Sequence, residues 1–200
     1  MTNSVSELPG FASEAKKSWH VIYVKARHEK RAYSDLRAFR VEAYLPMRKE
    51  LHRWSDRHKW VEVPLFSCYV FVKVLPEEFS RVYLTGGFVK FVSSNGRPSI
   101  IPDDQIDDIQ RVVEYNQSDV EVLEGDYSGL EAEVVTGPLA GLQGEIVDLL
   151  NRKSFVIRVD GLEKLLSVNV PVSAVKVLGK AQLEASCPLA IPKSGAISAR

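Results

Sequence analysis

Between Trp60 and Val74 the chain reads WVEVPLFSCYVFVKV, and Leu65 to Val72 within it carry no charge at all. β-branched and aromatic side chains dominate the run, which suits a pleated surface better than a helix, and it is far too short to cross a bilayer. It predicts a buried central strand. Pro64 stands where the alternation of Val61 and Val63 with charged neighbours gives way to the continuous run, so it is expected at a strand entry or bulge, where a missing N–H costs least. The rest of the N-terminal half then has to cover this strand.

With 200 residues the chain can form one medium domain or two small ones, and its 26 Lys and Arg balance 26 Asp and Glu. The zero total conceals a segregation. From Lys16 to Trp60 there are 13 basic residues against 5 acidic, from Val61 to Gly125 there are 5 against 11, and from Asp126 onward 8 against 8. Only the first segment attracts a polyanion. Of the two cysteines, Cys68 reads as a small buried hydrophobe and Cys187 lies in the tail, with no metal-like spacing between them. The opening MTNSVSELPGFASEA has neither the basic nor the apolar region of an export signal, so a cytoplasmic protein is expected.

Residues 1–17 read as a loose arm. HVIYV (20–24) predicts a strand, and Ala32, Leu36 and Phe39 recur at helical spacing between His28 and Arg40. EAYLPM (42–47) predicts a second strand. The following RKELHRWSDRHK is then a hairpin arm or its tip, and its mix of cations with Trp54 suits gripping a phosphate backbone and stacking on a base, or equally a solvated loop. Pro76-Glu77-Glu78 opens a short helix with Phe79, Val82 and Tyr83 on its apolar face, and Gly86-Gly87 ends it. FVKFV (88–92) is a strand, Asn95-Gly96 a tight turn, and Pro102-Asp103-Asp104 caps a helix carrying Ile106, Ile109 and Val113. The order β-α-β-β-α-β-α over residues 18–115 indicates an antiparallel sheet with helices on one side. Residues 116–121 read as a linker.

From 122 to 178, glycine- and proline-bearing turns punctuate short β-rich runs: Ala132–Val135, Glu145–Leu149, Phe155–Val159 and Lys164–Val168. This spacing predicts a small β-barrel, although LEGDYSGLEAEVV and GLEKLLSV also pass as helical fragments. Residues 179–200 read as a flexible tail. The fold class is therefore α+β: an N-terminal antiparallel-sheet α/β sandwich followed by a small SH3-like β-barrel. No Ser-His-Asp grouping, P-loop, dinucleotide fingerprint or metal-ligand cluster is legible, which argues against an enzyme and implies no cofactor. His52 and His58 lack a Cys or carboxylate at metal spacing.

Trp19, Lys25-Ala26-Arg27-His28-Glu29, Tyr44-Leu45-Pro46 and Pro64-Leu65-Phe66 followed by Tyr69-Val70-Phe71-Val72 resemble the NusG N-terminal domain. Gly125-Asp126 and the run Gly137-Pro138-Leu139-Ala140-Gly141-Leu142-Gln143-Gly144 resemble a KOW domain. The resemblance implies a transcription elongation or antitermination factor, closer to specialised paralogues of the RfaH and UpxY type. Ser67-Cys68 stands where the family commonly has Pro-Gly, and the polar motif by which RfaH touches the polymerase β subunit is not recognisable in Phe79–Tyr83.

On this resemblance Tyr69 and Phe71, with Ile106 and Ile109, would dock on the clamp helices of the RNA polymerase β′ subunit. Strand alternation puts Tyr69 and Phe71 on one face and Val70 and Val72 on the other, so one pair faces the domain's own helices. Lys25, Arg27, His28 and Arg31, with Arg53 and Arg57 of the hairpin, would face the non-template DNA strand. The KOW domain would meet a small-subunit ribosomal protein or Rho, and the protein would act as a monomer. The alternative is a KOW-containing RNA-binding or ribosome-associated protein.

Overall fold

Strand β1 (Ser18–Val24) is the axis of the N-terminal sheet, and five of its seven residues are buried. The computed structural model describes residues 16–53, 58–115, 120–124, 129–149 and 152–180. After β1 come α1 (Glu29–Ala38), β2 (Glu42–Tyr44), β3 (Met47–Arg53), β4 (His58–Pro64), β5 (Tyr69–Val74), α2 (Phe79–Tyr83) and β6 (Phe88–Phe91). The short strands β7 (Ser93–Ser94), β8 (Arg97–Pro98) and β9 (Ile100–Ile101) lead into α3 (Asp103–Tyr115). The antiparallel sheet has the order β2-β5-β1-β6, with β9 also pairing β1.

Trp60 to Val74 is not one strand. The chain breaks at Leu65–Cys68, where the Leu65 N–H bonds to the Pro46 carbonyl at 2.8 Å and Cys68 takes a φ of 68°. β4 ends at Pro64 and pairs with β3 as a separate two-stranded ribbon, and the buried central strand is β5, between β1 and β2. The run expected over Glu42–Met47 likewise stops at Tyr44, and Met47 begins the ribbon. The left-handed turn is formed with a cysteine rather than a glycine. It is held by Glu29, buried at the start of α1, whose carboxylate accepts the Cys68 N–H at 2.8 Å.

The register divides the sheet into two faces. Ile22, Ala43, Val70, Val72 and Val74 pack with Ala32 and Leu36 of α1 and Val82 of α2. Trp19, Val21 and Phe71 pack instead with Ile101 and with Ile106, Ile109, Val112 and Val113 of α3. Helices therefore lie on both faces, where a single side was expected. The third helix is amphipathic as its spacing predicts, and Asp103 and Asp104 occupy its first turn, where the macrodipole favours them.

The β-rich C-terminal domain is a six-stranded antiparallel sheet among the described residues. β10 (Val120–Glu124), β11 (Leu130–Val134), β12 (Gln143–Leu149), β13 (Arg152–Val159), β14 (Lys164–Val168) and β15 (Val175–Lys180) run in the order β10-β14-β13-β12-β11-β15. Val120 and Glu121, read as linker, are the first two residues of β10. The tail from 181 on lies outside the described residues, as do residues 1–15 of the arm.

Candidate functional site

Phe71, Ile106 and Ile109 are buried, and Tyr69 is half-buried. Phe71 sits between Phe66, with ring centroids 5.8 Å apart, and Tyr44, at 6.1 Å. The same apolar cluster continues without a break into Val134, Leu139, Leu142, Phe155, Ile157 and Leu166 of the C-terminal domain. The face that alternation turns away from α1 is thus occupied, by α3 and by the second domain together.

Polar contacts fix that packing at its edges. Gln105 of α3 donates from Nε2 to the Arg158 carbonyl at 3.1 Å and accepts the Asp160 N–H at 2.9 Å. Six residues further along the same helix, Arg111 donates to the Ala140 carbonyl at 2.7 Å. Gly161, at a φ of 72°, comes so close that an added Cβ would stand 2.8 Å from Cβ of Ser99. A side chain there would push the domains apart.

Lys164 places its ammonium 5.6 Å from the centre of the Tyr69 ring, which itself meets the Tyr23 ring edge-on at 5.4 Å. It also pairs with Glu124, whose carboxyl that ion pair holds below its usual range. Burial raises the Tyr44 phenol well above its ordinary range, and the nearby Glu114 charge adds to the effect. At the rim of this face Asp103 bridges Lys73 at 2.8 Å and Lys16 at 3.2 Å, which lowers its pKa.

The second surface is basic. The turn after β1 gathers Lys25, Arg27, His28 and Arg31 beside Gly86 and Gly87: the Lys25 N–H bonds to the Gly87 carbonyl at 2.8 Å, and Asp35 of α1 accepts the Gly86 N–H at 2.9 Å. Lys25, Arg27 and Arg31 are exposed and His28 is half-buried. Arg53 is on a separate element, at the far end of β3 opposite His58, and Arg57 lies outside the described residues. Lys30 donates to the Glu62 carbonyl at 2.8 Å, joining α1 to the base of the ribbon.

Sequence reasoning missed Gln105, Arg111, Lys164 and Glu29. The first two bond to backbone groups, and nothing in the receiving segments marks them as partners. Among the described residues no cluster of His, Cys, Asp and Glu is arranged to hold a metal ion, and no helix is long and apolar enough to cross a membrane.

Residues 17–110 match the family model described as transcription termination factor nusG. Among solved structures, one concerning domain interaction in Thermotoga maritima NusG matches with a TM-score of 0.50 at 21% identity, covering 82% of this chain and 98% of that one. The MjSpt4:Spt5 complex in its conformation B matches with a TM-score of 0.27 at 12% identity, covering 82% and 99%. No relative was found among curated protein sequences.

Proposed function

Since the chain is NusG-like, matched by that family's model over residues 17–110, we propose that it is a transcription elongation factor whose apolar face binds the clamp helices of the polymerase β′ subunit. The observation that carries this reading is the cluster of Phe71, Ile106 and Ile109, buried beneath a second domain that is held at its edges by a few hydrogen bonds. Docking requires that domain to move aside.

With the face released, Tyr69 and Phe71 of β5 and Ile106 and Ile109 of α3 meet the clamp. Lys25, Arg27, His28 and Arg31, with Arg53 of the ribbon, would face the non-template strand, and Arg57, outside the described residues, is assigned to the same strand from the sequence. A ligand that prefers the closed, elongating clamp shifts the enzyme away from its paused state, so pausing or termination is suppressed with no chemistry by the factor itself. The freed KOW-type domain is then available to a small-subunit ribosomal protein or to Rho. A closed resting state suits a specialised paralogue of the RfaH or UpxY type, acting as a cytoplasmic monomer without a cofactor.

The test is elongation by core polymerase through a leader with pause and terminator sites, with wild-type chain, with Gln105→Ala/Arg111→Ala, and with Tyr69→Ala checked for folding by calorimetry. The double variant should bind polymerase more tightly and raise read-through, and Tyr69→Ala should lose both. If neither wild type nor the double variant binds polymerase, the reading fails, and a KOW-containing RNA-binding or ribosome-associated protein takes its place.

A further inference from the structure

A strand lies in the connection between the two domains. β10 (Val120–Glu124) stands at one end of the six-stranded sheet and, among the described residues, pairs only with β14, in five antiparallel pairs from Val120–Val168 to Glu124–Lys164. Its side chains are anchored on two sides. Val120, 1% exposed, lies in the apolar cluster that α3 shares with the second domain, and Val122 packs against that cluster. Leu123 packs elsewhere, against Val147, Val156 and Leu165. Glu124 pairs with Lys164, whose ammonium also stands over the Tyr69 ring.

Most of this side-chain anchoring depends on the N-terminal domain. When the domains part, the cluster around Val120 and Val122 opens to water and Lys164 leaves Tyr69. β10 then keeps only its ladder with β14, the packing of Leu123 and one ion pair. A five-residue edge strand with a single apolar anchor belongs to the low-stability end of a fold. The remaining strands, β11 to β15, pair among themselves without it.

We propose that β10 is a detachable strap: paired with β14 it keeps the second domain at the Phe71/Ile106/Ile109 face, and unpaired it lets that domain leave. Chain length sets the difference. Four residues separate Tyr115 from Val120, so while β10 is paired the connection spans at most about 17 Å. Fourteen residues separate Tyr115 from Leu130 at the start of β11, and with β10 unpaired the connection spans up to about 50 Å. A helix with its side chains is about 10–12 Å across, so a pair of helices needs more than about 20 Å. The short tether lets the domain tilt, and the long one clears the face. Only this last consequence rests on the docking proposed above.

Hydrogen exchange of the full chain, without polymerase, tests the detachment. When reclosing is fast, the exchange rate of an amide scales with the fraction of molecules in which it is open. In Gln105→Ala/Arg111→Ala the β10 amides should exchange about 30-fold faster than in wild type, the effect of losing two anchors of ordinary strength, while those of β13, inside the sheet, keep their rate. Gly161→Ala, which sets a Cβ against Ser99 at the interface, should accelerate β10 by a separate route. A lock tests the consequence. Glu121 and Ser167 are directly opposed, and opposed residues on antiparallel strands have Cα atoms about 4.5–5.5 Å apart, within disulfide range. Glu121→Cys/Ser167→Cys in a Cys68→Gly/Cys187→Ser background should lose core-polymerase binding when oxidised and regain it on reduction, with melting temperatures showing both forms folded.

The detachment is overturned if the β10 amides keep the wild-type rate in both variants, or if the β13 amides accelerate with them, which would mean that the whole domain unfolds. The role of the strap in opening is overturned if the oxidised chain binds polymerase as the reduced one does. If the reduced chain does not bind polymerase, only the docking reading falls, and hydrogen exchange still decides whether β10 detaches.

Discussion

Removing the hydrogen bonds at the edge of the domain packing should loosen it by a calculable amount. Gln105→Ala deletes one donated and one accepted bond, at 3.1 and 2.9 Å, and Arg111→Ala deletes a donated bond of 2.7 Å to the Ala140 carbonyl. All three are exposed, so water replaces part of what is lost, and each residue contributes toward the lower end of the usual range, about 1 kcal/mol. The two residues share no partner and lie six apart on α3, so their effects should nearly add, to about 2 kcal/mol and a roughly 30-fold rise in the ratio of open to closed molecules. Leu162, buried beside Gly161, reports that ratio when replaced by cysteine in a Cys68→Gly/Cys187→Ser background. When closing is faster than labelling, the rate of thiol modification scales with the open fraction. The double variant should be labelled about 30 times faster. Gln105→Glu, which still accepts the Asp160 N–H but cannot donate, should fall between wild type and Gln105→Ala. A change below about threefold in the double variant would refute the reasoning and leave apolar burial alone as what holds the domains together.

Two further outcomes follow from local geometry. Cys68→Gly should raise the melting temperature in calorimetry, because a left-handed φ of 68° costs a side-chain-bearing residue about 1–2 kcal/mol against roughly 0.5–1 kcal/mol of added chain entropy for glycine; a lower melting temperature would mean that the thiol's packing outweighs the strain. Burial lowers the pKa of His20, partly offset by its bond with the Ser99 carbonyl at 2.9 Å, so the folded state resists protonation more than the unfolded chain does. Stability from this group is therefore present above the unfolded value near 6.5 and is lost as pH falls from there through the folded pKa. Urea unfolding between pH 7.5 and 5 should show that loss, and His20→Leu should flatten it.

Much of the N-terminal domain was legible because burial there follows simple periods. Alternation in Tyr69-Val70-Phe71-Val72 assigned the two faces of β5 correctly, and the spacing of Ile106, Ile109 and Val113 identified the inner side of α3. The break at Leu65–Cys68 was not legible. An uncharged run looks the same whether it is one strand or a turn followed by a strand, and the bond that ends β4 comes from the distant Pro46 carbonyl. The placement of α3 on the opposite face from α1 was hidden for a related reason: an amphipathic pattern says that a helix covers something, not which side of the sheet it covers. The basic turn was legible as composition, and the fold supplied its geometry by setting Lys25 and His28 against the Gly86-Gly87 turn.

Whether Ile106 and Ile109 are core or docking surface, left open by the sequence, turns on the free energy of covering their face. Burying a side chain such as Phe71, Ile106 or Ile109 is worth about 1.5–3 kcal/mol relative to exposure, so leaving the whole face uncovered would cost several kcal/mol. In this structure the cover belongs to the same chain, and only four residues separate Tyr115 from Val120. A domain tethered so closely acts as a binding partner at an effective concentration in the millimolar range. Any external partner for the face therefore competes with an internal one, and its apparent affinity is the intrinsic one multiplied by the fraction of molecules that are open. On the proposed docking, residues such as Gln105 and Arg111 would control binding without contacting the partner, because they set that fraction. Tyr69 would affect both steps, since its ring receives Lys164 in the closed molecule and belongs to the face released on opening. Comparing Gln105→Ala with Tyr69→Ala separates the two contributions: the first should tighten an external partner's binding, and the second should weaken it even though it removes one of the contacts that keep the domains closed.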